Sequence, residues 1–195
     1  MSNGFMLDSD FKTHNIVENI TDGIIVTESD HTAIHKGYGY KGLLDVENIA
    51  GGASLSWSFV TGENKYIHFK NMSLIGLGAS CKVEFIKDAD ITIDNGTIVP
   101  LVNLNLNSGN IASSICKSSP TYTGGTVVDS AYVLTSSTNQ FIGSASSSVF
   151  QYEEIVLKPN SNYIIKITNL DSTDVLSRVI VKFFFYEEPK GSFFK

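Results

Sequence analysis

The stretch QYEEIVLKPNSNYIIKITNLDSTDVLSRVIVKFFFYEE, residues 151–188, decides the fold. Three runs rich in β-branched and aromatic residues (152–157, 163–168 and 178–186) are separated by the turn clusters KPNSN and NLDSTD. Turn chemistry between such runs predicts an antiparallel meander. Successive side chains of a strand point to opposite sides, so Val179, Val181, Phe183 and Phe185 form one face of the last run. That face is assigned to the core. The opposite face carries Arg178, Ile180, Lys182, Phe184 and Tyr186, three of them large and apolar or aromatic. Such a face is covered either by the chain's own N-terminal segment or by another subunit. Ile180, Phe184 and Tyr186 are the candidate subunit-interface residues.

Outward from this stretch the chain is a succession of short strands. They are expected at 38–48, 54–61, 65–75, 81–93, 97–106, 111–116, 126–135, 139–143 and 149–157, with Gly-Gly at 51–52 and 124–125 as punctuation. Asn95-Gly96 within DITIDNGTIVP reads as a type I′ hairpin turn. No twelve-residue stretch has clean helical periodicity. The expectation is an all-β chain, an antiparallel β-sandwich of jelly-roll type. Residues 1–30 are set apart as an extended N-terminal arm, 31–188 as the sandwich and 189–195 as a C-terminal tail. In the arm, isolated apolar residues stand among polar ones; Phe5, Leu7, Phe11 and Ile16 are the candidate particle-docking residues. A frayed terminus is the plainer reading of the same residues. Phe193 and Phe194 in the tail fit a docking peg and a cover for the domain's own edge equally well.

A chain of 195 residues buries enough surface to need no metal or disulfide staple. The net charge of −6, with a single arginine, offers no basic stripe for phosphates and argues against nucleic acid as a partner. MSNGFMLDSDFKTHN lacks a basic start followed by an apolar core, and no apolar run nears the ~20 residues that cross a bilayer, so no membrane partner is expected. Cys81 shares a face with Val83 and Phe85 and reads as a small buried hydrophobe. A Cys81–Cys116 bridge is the lesser reading in a reducing cytoplasm.

Catalytic and metal chemistry find little footing, and no cofactor is expected. His31 and His35 in HTAIH have a helical ligand spacing, but the segment leads into strands, where such residues sit about 13 Å apart. From Asp88, the sixth and twelfth positions of a calcium loop hold Ile93 and Val99 rather than Gly and Glu. There is no G-x-S-x-G elbow, and GLGAS at 76–80 is not a phosphate loop. Tyr38 and Tyr40, on one strand face, suggest a carbohydrate platform or a subunit seam. Trp57 shares a face with Leu55 and Phe59 and reads as core.

Three segments carry a family resemblance: HTAIHKGYGYKGLLDV (31–46), KYIHFKNMSLIGLGASCKVEFIKDADITIDNGTIVPLVNLNLNSGN (65–110) and YEEIVLKPNSNYIIKITNLDS (152–172). In this order they resemble a family of tailed-bacteriophage virion structural proteins. The chain departs from that pattern at Leu104 and Leu106, where Arg after Asn is usual. The resemblance implies a jelly-roll sandwich without catalytic residues, usually a homotrimer, decorating the capsid or forming part of a head fibre. The implied partners are the major capsid protein or another virion protein, with assembly in the host cytoplasm. The alternative is a binding module for host surface glycan on a fibre or tail.

Overall fold

Alternation along the last strand sorts as its sequence demands: Val179, Val181, Phe183 and Phe185 are at most 1% exposed. The structure is a computed structural model that describes residues 16–19, 23–26, 30–77, 80–133, 145–149, 154–171 and 177–189. The chain order begins with β1 (Ile16–Asn19), β2 (Gly23–Val26), a short helix α1 (Asp30–His35), β3 (Gly39–Ile49) and β4 (Ser54–Val60). It continues through β5 (Lys65–Leu77), β6 (Cys81–Ile93), β7 (Ile98–Val99), β8 (Leu101–Asn103) and β9 (Ile115–Ser118). The last strands are β10 (Thr121–Val133), β11 (Ala145–Val149), β12 (Ile155–Leu157), β13 (Asn162–Asn169) and β14 (Ser177–Pro189).

Two antiparallel sheets pack face to face as a β-sandwich. The front sheet runs β11-β5-β14-β3-β8, with β12 also on β5; the back sheet runs β10-β6-β13-β4-β9-β7. Strands β1 and β2 pair with each other. The core between the sheets is aromatic. Phe59 of the back sheet stands edge-on to Phe69, Phe183 and Phe185 of the front sheet, with centroids 5.7, 6.0 and 5.3 Å away. Such edge-to-face pairs add about 0.5–1.5 kcal/mol each beyond the area they bury. Cys81, Val83 and Phe85 lie on the inner face as expected, and Cys81 and Cys116 are buried free thiols.

The C-terminal runs are strands, but they do not form a meander. Strand β12 pairs with β5, β13 with β4 and β6, and β14 with β3 and β5. Their connections therefore cross between sheets instead of turning back beside their neighbours. Each strand's apolar side is buried just as well either way, so the local sequence does not choose between the two. The Asn-Gly hairpin does not form either. Strand β6 pairs with β10 and β13, whereas β7 pairs with β9. Gly96 serves close approach instead, since a Cβ there would lie 1.6 Å from the Ser118 carbonyl oxygen. The expected strand at 97–106 splits at Pro100 into β7 in the back sheet and β8 in the front sheet. The one expected at 139–143 lies outside the described residues.

HTAIH forms α1 rather than extended chain. Gly37, at φ +76°, ends the helix: its N–H donates to Ile34 and the Tyr38 N–H donates to Ala33, both at 2.9 Å. This is a Schellman motif, which needs the left-handed backbone that glycine adopts freely. Strand β6 bends at Asp88 (φ +56°), and the strand beyond it carries Ala89 and Ile91 with Tyr122 against Ile164, on the outer side of the back sheet.

Candidate functional site

The outer face of the front sheet carries the residues singled out from the sequence. Phe184 lies across from Lys41 of β3, which in turn lies across from Val102 of β8. Ile180 pairs with Asp45, Lys182 with Leu43, and Tyr186 with Gly39 on one side and His68 on the other. Ile180, Phe184 and Tyr186 are partly buried, while Leu43 and Val102 are 51% and 43% exposed. The middle of this face thus mixes apolar side chains with two exposed lysines, Lys41 and Lys182.

Its two ends are ionic. At one end Arg178 grips Asp45 through two hydrogen bonds of 2.8 and 2.6 Å and reaches Glu47 at 3.4 Å. The Arg178 hydrogen bond holds the Asp45 carboxyl below its ordinary range. At the other end the His68 ring stacks on Tyr186, with centroids 4.4 Å apart and planes within 5°. Nε2 of His68 meets Glu188 at 2.7 Å and Nδ1 meets Glu154. The Tyr186 hydroxyl donates to Glu154 at 3.0 Å, and Lys70 both pairs with Glu154 and lies over the Tyr186 ring at 5.6 Å. Burial pushes the Glu154 carboxyl up, but hydrogen bonds from Lys70, His68 and Tyr186 outweigh it and the net shift is downward.

Strand irregularity aims these groups. Phe184 pairs with Asn71 and Phe185 with Phe69, so β5 holds one extra residue at Lys70. This bulge lets Phe69 and Met72 both face inward while Lys70 reaches Glu154. The pairing of His68 and Lys70 on one face is legible from strand spacing. Glu154 and Glu188 are not, because they arrive from just before β12 and from β14, whose neighbours the sequence does not reveal.

Other expectations resolve differently. Tyr40 is fully buried and its hydroxyl donates to the Gly37 carbonyl at 3.2 Å, so it belongs to neither a sugar platform nor a seam. Burial pushes its pKa up to about 12, with the Glu187 charge second. Tyr38 is partly buried with Lys65 over its ring at 5.7 Å, and Trp57 is core. Asp94 accepts from Ser58 and pairs with Lys117. Among the described residues no group of three His, Cys, Asp or Glu side chains is arranged to hold a metal. Phe5, Leu7 and Phe11 lie outside the described residues; Ile16 is in β1, paired opposite Val26.

The NLNLNSGN segment turns out to be a clamp. Asn103 Nδ2 donates to the carbonyls of Gly37 and Asn110 at 2.9 and 3.0 Å, and Asn105 Nδ2 donates to that of His35 at 2.8 Å. Asn103 and Asn105 each also cap the backbone N–H two residues on. The first two segments of the family resemblance therefore meet in space, the asparagines of one satisfying the helix-end carbonyls of the other. A cleft of about 510 Å³ lies nearby, lined in part by Thr61, Lys65, Ser113 and Asn160. Lys65 and Ser113 are committed to Glu187, and Thr61 donates to the Lys158 carbonyl.

Comparison with known protein families, curated proteins and solved structures finds no match to this chain.

Proposed function

We propose that this is a non-enzymatic structural protein that assembles through the outer face of its front sheet, as a homotrimer in a tailed-phage particle. The observation that carries the reading is the layout of that face. Phe184, Ile180, Leu43 and Val102, with the exposed Lys41 and Lys182 among them, lie between the Arg178 and His68 ionic groups. Large apolar side chains left exposed or half-buried together on one sheet face support a subunit contact. Strand order supports a jelly roll. The first and last sandwich strands, β3 and β14, are neighbours, with β5 and β12 beyond them, opposite β4, β13, β6 and β10. Eight strands wound so between two sheets are the arrangement of viral capsid and lectin domains.

In this reading the protein is a capsid decoration or head-fibre component, and residues 1–30 tether it to the major capsid protein or another virion protein. Free Cys81 and Cys116 suit assembly in the reducing host cytoplasm. Removing residues 1–30 tests the tether. The truncated chain is expected to remain trimeric and to lose binding to particles. Its recovery on particles at full occupancy overturns the assignment.

A further inference from the structure

We infer that the loop 104–114 is the other half of the seam: its Leu106 and Ile111 pack on the outer front-sheet face of a neighbouring copy. This rests on the assembly reading above. A ring of three identical subunits closes about a threefold axis, so each seam joins two different surfaces and no surface meets its own copy. The front-sheet face supplies only one of the two.

Exposure and order single out the second. Leu106 and Ile111 are each 85% exposed, more than any other large apolar side chain among the described residues. A lone exposed aliphatic is ordinary, but these two are held out together by a loop fastened at both ends. Asn105 Nδ2 donates to the His35 carbonyl at 2.8 Å, and its Oδ1 accepts from the Asn107 N–H at 3.1 Å. The Ser108 N–H donates to the Asn105 carbonyl at 2.9 Å, and the Asn110 N–H to the Ser108 hydroxyl at 3.1 Å. At the far end the Ser113 and Ser114 N–H groups donate to Glu187. The two side chains are thus set in place before a partner arrives, which lowers the entropy lost on binding.

Charge matches this loop to that face. The stretch NLNLNSGNIASS, residues 103–114, has no ionisable side chain. On the face, Lys41 and Lys182 are exposed beside Leu43, Val102 and Phe184, and neither lysine has an ionic partner among the described residues. Two such faces pressed together would set lysines against lysines where water is excluded. Against the loop, the ammonium groups meet carbonyl oxygens of an uncharged segment while Leu106 and Ile111 cover the apolar neighbours. The loop leaves β8, the edge strand of the same sheet, and at 85% exposure neither side chain covers its own subunit's face.

Sedimentation of the full chain across a dilution series tests the loop, with Leu106→Glu, Leu106→Lys and the double variant Leu106→Ser/Ile111→Ser beside the unaltered protein. All three change exposed side chains and should leave the folded subunit intact, which circular dichroism checks. The double variant is expected to be monomeric where the unaltered chain is a trimer. Leu106→Lys is expected to dissociate at a concentration at least about tenfold above that of Leu106→Glu, because the new cation meets Lys41 and Lys182 whereas the new anion pairs with them. A double variant that stays as trimeric as the unaltered chain overturns the loop's role and leaves the assembly reading standing. So does a Leu106→Glu trimer that dissociates as readily as Leu106→Lys, or more so. A monomer at every concentration in the unaltered chain overturns both.

Discussion

Nζ of Lys65 lies 2.9 Å from Oε2 of Glu187, whose side chain is wholly withdrawn from solvent. The carboxylate also accepts from the backbone N–H and hydroxyl of both Ser113 and Ser114, at 2.8–3.0 Å. It ties the end of β14 to the loop before β9. Burial raises the Glu187 pKa, but the hydrogen bonds from Lys65, Ser113 and Ser114 outweigh it and the net direction is down.

Glu187→Ala strands the two serine N–H groups and the lysine. Because Lys65 keeps 26% of its side chain exposed, the cost sits at the low end for a broken buried pair, about 3 kcal/mol. Urea unfolding at neutral pH measures it. A depressed folded pKa means the stabilisation is complete above the unfolded carboxylate value and disappears as pH falls through the folded one. Below about pH 4 the unaltered protein is therefore expected to lose stability more steeply than Glu187→Gln.

Gly96→Ala is expected to cost about 3 kcal/mol, because the new methyl meets backbone, the Ser118 carbonyl, and not a side chain that can swing away. Gly109→Ala, with nothing within 4 Å and no left-handed backbone, is the control and should stay within about 0.5 kcal/mol. Denaturation midpoints of the two compare them directly. Equal midpoints would sink the close-approach account of Gly96.

Burial pushes the Cys81 thiol up to about 11 and the Cys116 thiol up to about 12. Thiolate is the reactive form, so both should resist alkylation in the native protein and react fully once it is unfolded. Intact mass after iodoacetamide treatment, with and without denaturant, reads both states. Rapid native labelling of either residue contradicts its burial.

Side chains on one strand were more legible than partners across strands. The inward set of β14 follows from period-two alternation, and the same alternation runs on to Glu187, an inward charge that calls for buried donors. What supplies those donors was hidden, since Ser113 and Ser114 lie 74 and 73 residues away in sequence. The His68 group was hidden for the same reason: Glu154 is 86 residues distant and Glu188 is 120. Strand existence is local, whereas the choice of sheet for β12, β13 and β14 is set by long-range packing that leaves no local mark. Asn95-Gly96 misled because the glycine answers to a carbonyl passing 1.6 Å from where a Cβ would be, not to turn geometry.

Phe184→Lys should leave the fold intact, since Phe184 lies on the outer face and is only partly buried, and should abolish self-association by replacing its apolar ring with a third cation beside Lys41 and Lys182. Circular dichroism and sedimentation of the variant separate the two effects. Loss of folding would mean that the face is closed within the subunit.

Light scattering of the full-length chain across a dilution series tests the assembly face most directly. A mass of three subunits that does not change with concentration is the predicted result. A monomer at every concentration would contradict it.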